Sequence, residues 1–194
     1  MLFVSYTLEG IGYIIAGTFL VAAIKQNSSA WLGNGAWLFV GLAAAPSAAL
    51  WAWLSARWSH PILLAGALLL QAFGIALPAV APGAVAALLG AILFGATFIG
   101  VSTMALAAGR LLGFPGAVAL MTTGYSAGQI LGPVAVTPLL RHGFSHALLA
   151  AALVVVSSAM VAGLLRFGFP SAGADLRPAA MPLRRQHPTL ESRG

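Results

Sequence analysis

Residues 2–24 read LFVSYTLEGIGYIIAGTFLVAAI, an apolar run broken by one charge, Glu9. A helix needs about 20 apolar residues to cross the hydrocarbon slab of a bilayer, and this run is long enough. It does not read as a cleavable signal peptide, because it has no basic n-region and carries Glu9 inside it. It is expected to remain in the protein as a membrane span.

The rest of the chain repeats the pattern. The 194 residues are 60% hydrophobic and 6% charged, against roughly a quarter charged in a soluble domain. A soluble core of this composition would lack a solvated shell. Asp175, Arg177, Arg184, Arg185, Glu191 and Arg193 all follow residue 170, which leaves Glu9, Lys25, Arg57, Arg110, Arg141 and Arg166 to punctuate everything before it. The apolar runs between these breaks predict helices near 2–24, 34–56, 62–79, 84–108, 116–139 and 147–166. The expected fold is an all-α integral membrane protein of six transmembrane helices, not a soluble enzyme. The connections KQNSSAWLGNG, ARWSHP, AVAPG, GRLLGFP and RHGFSH are short, so sequence neighbours should be antiparallel.

Basic residues collect on the cytoplasmic side of short loops. Arg57, Arg110, Arg166 and the four tail arginines fall on one side, and Lys25 and Arg141 on the other. Seven against two, with an even number of spans, puts both termini in the cytoplasm. The chain divides into a bundle over 1–166 and a basic tail over 167–194. The tail is rich in Pro, Ala and Arg and is expected to stay disordered, because it cannot bury enough surface to fold alone. Its arginines chiefly fix topology beside membrane lipid.

Glu9 is the only acidic residue in any expected span. A carboxylate at that depth costs several kcal/mol unless it is protonated, hydrated or paired. Tyr6 and Tyr13 lie three and four residues away, so Tyr6, Glu9 and Tyr13 form one helical stripe. Such a carboxyl could take and release a proton during a transport cycle, or serve structurally near headgroup water or an arginine. The fifth span, MTTGYSAGQILGPVAVTP, places Thr122, Tyr125 and Gln129 on one face, for cavity lining or interhelical hydrogen bonding. Gly124, Gly128 and Gly132 recur every four residues, the small-residue pattern that lets membrane helices approach closely. Pro133 and Pro138 are tolerated where a helix bends around a cavity. In the fourth span, Thr97, Ser102 and Thr103 would ordinarily bond back to their own backbone. Gln71 needs a partner for its amide and is expected to form an interhelical bond.

GYSAG at 124–128 matches the serine-hydrolase elbow G-x-S-x-G formally. That motif works on a strained strand-to-helix turn, whereas here it lies within a helical run. An intramembrane serine hydrolase would need a histidine base within reach, and His60, His142, His146 and His187 fall in loops, at span ends or in the tail. His142 and His146 are four apart, but no carboxylate lies beside them, so no metal site is expected. There are no cysteines, hence no thiolate ligands or disulfides. Neither a phosphate-binding loop nor a dinucleotide fingerprint is present. No cofactor and no nucleic-acid partner is expected, and any work must come from a gradient or a partner.

The runs YTLEGIGYIIAGTFLVAAIKQ, GATFIGVSTMALAAGRLL and GYSAGQILGPVAVTPLL, in that order, resemble the C-terminal six-helix half of bacterial major facilitator transporters of the YbfB/YjiJ type. The likeness covers residues 1–166. It implies one half of the major facilitator fold, built as a three-plus-three inverted repeat, in a bacterial inner membrane. It further implies secondary transport of a small solute through a cavity between two bundles. The first and fourth spans would line that cavity, with Glu9, Tyr13 and Thr97 facing it and the fifth span bordering it through Tyr125 and Gln129. Because the chain opens directly in the equivalent of the seventh helix, the N-terminal half is expected to be missing. A complementary half or a homodimer would then complete the groove. The alternative is a membrane interaction module that does not transport.

Overall fold

A computed structural model describes residues 1–27 and 30–167. Ser28, Ser29 and the basic tail from residue 168 onward lie outside the described residues, and with them most of the expected second domain. Where no water reaches the backbone, every N–H and C=O must be satisfied within the segment, and the helix does this locally. Each apolar run accordingly forms one: α1 (Leu2–Asn27), α2 (Ala30–Ser55), α3 (His60–Val80), α4 (Ala84–Leu111), α5 (Ala117–Val136) and α6 (Phe144–Leu164). Two 3₁₀ turns, Thr137–His142 and Leu165–Phe167, follow α5 and α6. No strand occurs among the described residues.

The boundaries depart from the sequence expectation in ways that local chemistry explains. The segment 25–35 is largely helical, not a connection, because α1 runs on to Asn27 and α2 begins at Ala30. Lys25 and Gln26 lower hydropathy but are good helix formers. The third helix gains residues at both ends, starting at His60 with Pro in its first turn, where the missing N–H costs nothing. The fourth continues past 108 to Leu111. The fifth stops at Val136, short of 139, and the chain tightens into the 3₁₀ turn around Pro138. The sixth starts at Phe144, ahead of 147, released by Gly143 at φ 106°, a conformation open chiefly to glycine.

Five of the six helices, α1, α2, α3, α4 and α6, are long and apolar enough to cross a membrane. The fifth, 20 residues long, is the exception to the expected six spans. Thr122, Thr123, Tyr125, Ser126 and Gln129 lower its hydropathy. The outer surface suits hydrocarbon, not water, with Ile130, Val85 and Leu153 each more than two-thirds exposed. Tryptophans Trp31, Trp53 and Trp58 are exposed at the ends of α2, the usual level of interfacial aromatic belts. The Arg57 guanidinium lies 3.9 Å from the Trp53 ring centroid.

In packing, α1 lies chiefly against α5 and α6, α4 against α2 and α3, and α3 against α6. Without a hydrophobic drive between helices in lipid, small residues and interhelical hydrogen bonds hold them together. Gly74 and Gly90 bring α3 onto α4: a Cβ built on Gly90 would lie 2.7 Å from the Gly74 carbonyl. Gly95 abuts the Val40 carbonyl on α2, and Trp51 Nε1 donates to the Ala96 carbonyl at 2.6 Å. Two buried serines join α1 to α6 reciprocally: Ser5 Oγ donates to the Ser158 carbonyl at 3.0 Å, and Ser158 Oγ to the Ser5 carbonyl at 2.7 Å.

Candidate functional site

Helix α1 presents Tyr6, Glu9 and Tyr13 on one stripe, and the fold closes three other helices around it. Glu9 is only 1% exposed and Gln71 of α3 is fully buried. Gln71 Nε2 donates to Glu9 Oε1 at 3.0 Å. Glu9 Oε2 and Gln71 Oε1, equally buried, have no hydrogen-bond partner. Glu9 lies seven residues into α1, about 10 Å along the axis at 1.5 Å per residue, so it is well inside the helix and not at its frayed end. Lys25, Arg57, Arg110, Arg141 and Arg166 are all exposed. Among the described residues, therefore, no lysine or arginine is buried with the carboxyl.

Rings from α1, α4 and α5 form a layer beside Glu9. Tyr6 stacks on Tyr125 at 4.6 Å between centroids. Tyr13 stacks on Phe94 at 5.6 Å, with Phe98 at 5.5 Å and Tyr125 at 6.2 Å. All three tyrosines lie near enough to interact electrostatically with Glu9. Tyr13, Phe98 and Tyr125 are only partly buried, whereas Glu9 is 1% exposed. Aromatic pairs of this geometry contribute about 0.5–1.5 kcal/mol each beyond area burial.

The other candidates fall in different surroundings. Thr97 is fully buried, and its hydroxyl bonds back to the Leu93 and Phe94 carbonyls at 2.7 and 3.2 Å. It supports the turn of α4 that carries Phe94 and Phe98. Gln129 is half-buried one turn beyond Tyr125. Thr122 is exposed and donates to the Val118 carbonyl at 2.9 Å. Gly124, Gly128 and Gly132 are buried against α1, where a Cβ on Gly128 would meet the Thr7 carbonyl oxygen at 2.6 Å. A Cβ on the facing Gly10 of α1 would lie equally close to the Tyr125 carbonyl oxygen. This contact is what holds Tyr125 at the stripe.

Ser126 of the GYSAG segment lies on an exposed face inside continuous α5, so the strand-to-helix turn of a hydrolase elbow is absent there. The His142 and His146 rings are 5.8 Å apart, and among the described residues no three His, Cys, Asp or Glu side chains converge on a metal position. A separate cavity of about 120 Å³ between α2 and α4, touching Trp51, Ser55, His60 and Met104, contains none of the stripe residues.

Sequence reasoning identified the stripe by its three-and-four spacing but did not connect Glu9 to Gln71, which is 62 residues away. It also passed over Phe94 and Phe98, since a phenylalanine in an apolar helix carries no signal of its own. The requirement that a buried amide find a partner was the one hint available.

The arrangement joins a desolvated carboxyl to an amide beside an aromatic layer, in a helical body built for lipid. A carboxyl so placed can hold or release a proton. Comparison with curated proteins and with solved structures finds no match. A family model described as the uncharacterised MFS-type transporter YbfB matches residues 1–166. Taken with the multi-pass apolar helices, this means that the chain belongs to the YbfB-type family of MFS transporters and is a membrane transport protein.

Proposed function

We propose that this chain forms one wall of a pathway for secondary-active transport of a small solute, coupled to protons through Glu9. The observation that carries the reading is the position of Glu9 in a chain of this family: it is the one acidic side chain in the described helices, fully buried, without a counter-charge, and next to an aromatic layer contributed by α1, α4 and α5. An intramembrane ionisable residue is costly to keep, and a change of charge during a cycle is a function that repays the cost. Tyr13, Tyr125 and Gln129 would meet the solute, with Thr97 behind them.

All six helices cross the membrane on this reading, α5 included, because its polar residues face the pathway or neighbouring helices. The neighbour pattern supports a three-plus-three inverted repeat: α1 packs on α5 and α6 as α4 packs on α2 and α3, and α3 meets α6 across the pseudo-symmetry. The face shared by α1 and α4 would be completed by a second bundle, either a complementary six-helix half or another copy of this chain. The bias of Arg57, Arg110 and Arg166 over Lys25 and Arg141 orients both termini toward the cytoplasm of a bacterial inner membrane.

Proteoliposomes holding the protein, alone and with a complementary bundle, provide the test. A panel of small organic solutes is added outside, and a pH-sensitive dye inside reports proton movement. Transport coupled through Glu9 requires solute-dependent proton flux that Glu9→Gln abolishes, with downhill solute exchange partly retained. Accumulation by Glu9→Gln at the parental level, with an unchanged pH dependence, would assign Glu9 a structural role and end the coupling proposal.

A further inference from the structure

Two buried atoms without partners face the same problem. Glu9 Oε2 and Gln71 Oε1 are both acceptors in an ionised carboxylate–amide pair, both are out of reach of water, and the neighbouring bond from Gln71 Nε2 to Glu9 Oε1 holds the two groups together at 3.0 Å. A buried polar atom left unsatisfied loses its hydration without regaining a hydrogen bond, and here two occur in one contact. A single proton on Oε2 removes both, because the carboxylic acid O–H then donates to the amide oxygen while the amide N–H donates to the acid carbonyl.

We propose that Glu9 and Gln71 together form a proton-binding site, in which the protonated carboxyl and the amide close a two-bond ring between α1 and α3. The ring accounts for Gln71 as well as for Glu9: the amide supplies one donor and one acceptor, the complement of a neutral carboxyl. A metal cation does not fit the same place, since hard cations take six or more oxygens or keep several waters, whereas a proton needs only these two. The other titratable groups facing Glu9 are Tyr6 and Tyr13 on α1 and Tyr125 on α5. No lysine or arginine faces it from any packed helix among the described residues. Tyr125 is thus the one alternative donor from another helix.

Release of the proton from Oε2 to water leaves a carboxylate and keeps the Nε2–H bond. It also sets two acceptor oxygens against each other. That repulsion loosens α1 from α3 or draws water past Tyr13 and Tyr125, so proton occupancy and helix position become linked. The inference deepens the transport reading and rests on it for the purpose of the proton, though not for the site itself.

Infrared spectroscopy of the full chain in detergent micelles free of ester and carboxyl groups tests the site without solute or gradient. The sequence has three acidic residues, and the other two, Asp175 and Glu191, lie in the tail, so a protonated-carboxyl C=O band at neutral pH can be assigned cleanly. The expected result is a band that shifts in D₂O, disappears in Glu9→Gln, moves to higher wavenumber in Gln71→Leu as the carbonyl loses its donor, and persists in Tyr125→Phe. Absence of a Glu9-dependent band at neutral pH, or a band identical in Gln71→Leu, overturns the proposal. If Gln71→Leu does not fold, the wild-type band decides, because a carbonyl accepting from an amide absorbs below a free one and a band at the free position refutes the ring. A Glu9 band together with undiminished accumulation by Glu9→Gln upholds the proton site and removes only the coupling role.

Discussion

Adding one methyl group at Gly128 tests the contact that fixes α5 on α1. In Gly128→Ala the new Cβ would lie 2.6 Å from the Thr7 carbonyl oxygen and 3.1 Å from the Ile11 nitrogen, where ordinary contact begins at 3.4 Å. The nearest of them, the Thr7 carbonyl oxygen, is backbone and cannot rotate away, so the helices must separate locally by about 0.8 Å, the difference between 3.4 and 2.6 Å. Overpacking of this kind costs about 1–3 kcal/mol. A Gly-to-Ala change inside a helix returns about 0.5–1 kcal/mol. Gly66→Ala isolates that second effect, because Gly66 lies in α3 with nothing within 4 Å of its would-be Cβ. Equilibrium unfolding of the purified chain in mixed micelles should therefore find Gly66→Ala neutral or slightly stabilising. Gly128→Ala should lie about 1–3 kcal/mol below it, and Gly128→Leu lower still. If Gly128→Ala matched Gly66→Ala to within about 0.5 kcal/mol, the ordinary scatter of surface substitutions, α5 could not be seated on α1 through this face.

The remaining predictions use different observations. Reporter fusions after Arg57, Arg110 and Arg166 should read cytoplasmic and fusions at 141–146 external; an external reading after Arg166 contradicts the six-span topology. Glu9→Gln can return both bonds to Gln71 through its own amide, so its thermal stability should equal or exceed the parent, whereas Glu9→Leu orphans the Gln71 amide and should lose about 1–3 kcal/mol. Trp51→Phe keeps an aromatic ring but deletes the pyrrole N–H and its 2.6 Å bond to the Ala96 carbonyl, and should cost at least about 1 kcal/mol in the same unfolding assay. Tyr13→Phe retains the stacking on Phe94 and Phe98, so it should preserve stability and alter solute affinity more than proton stoichiometry in proteoliposomes.

The sequence by itself determined the membrane class, the number of helices and the stripe Tyr6, Glu9, Tyr13, because these depend on run length and on residues within one turn of each other. It also placed Gly124, Gly128 and Gly132 on one face, since a period of four is visible without knowing the partner. Its helix boundaries were too short around residues 25–35, where polar residues that still favour helix mimic a loop, and it counted the polar fifth run as a span like its neighbours. Only the tertiary structure decided which helix meets which. It set Gln71 on Glu9, Phe94 and Phe98 under Tyr13, and Ser158 on Ser5, pairs separated by as many as 153 residues. In a chain made mostly of Ala, Leu, Gly and Val, helical periodicity shows hardly any contrast between inner and outer faces. The few polar atoms that must be satisfied, and the glycines that allow close approach, therefore carry the pairing information, and they express it only once the helices are assembled.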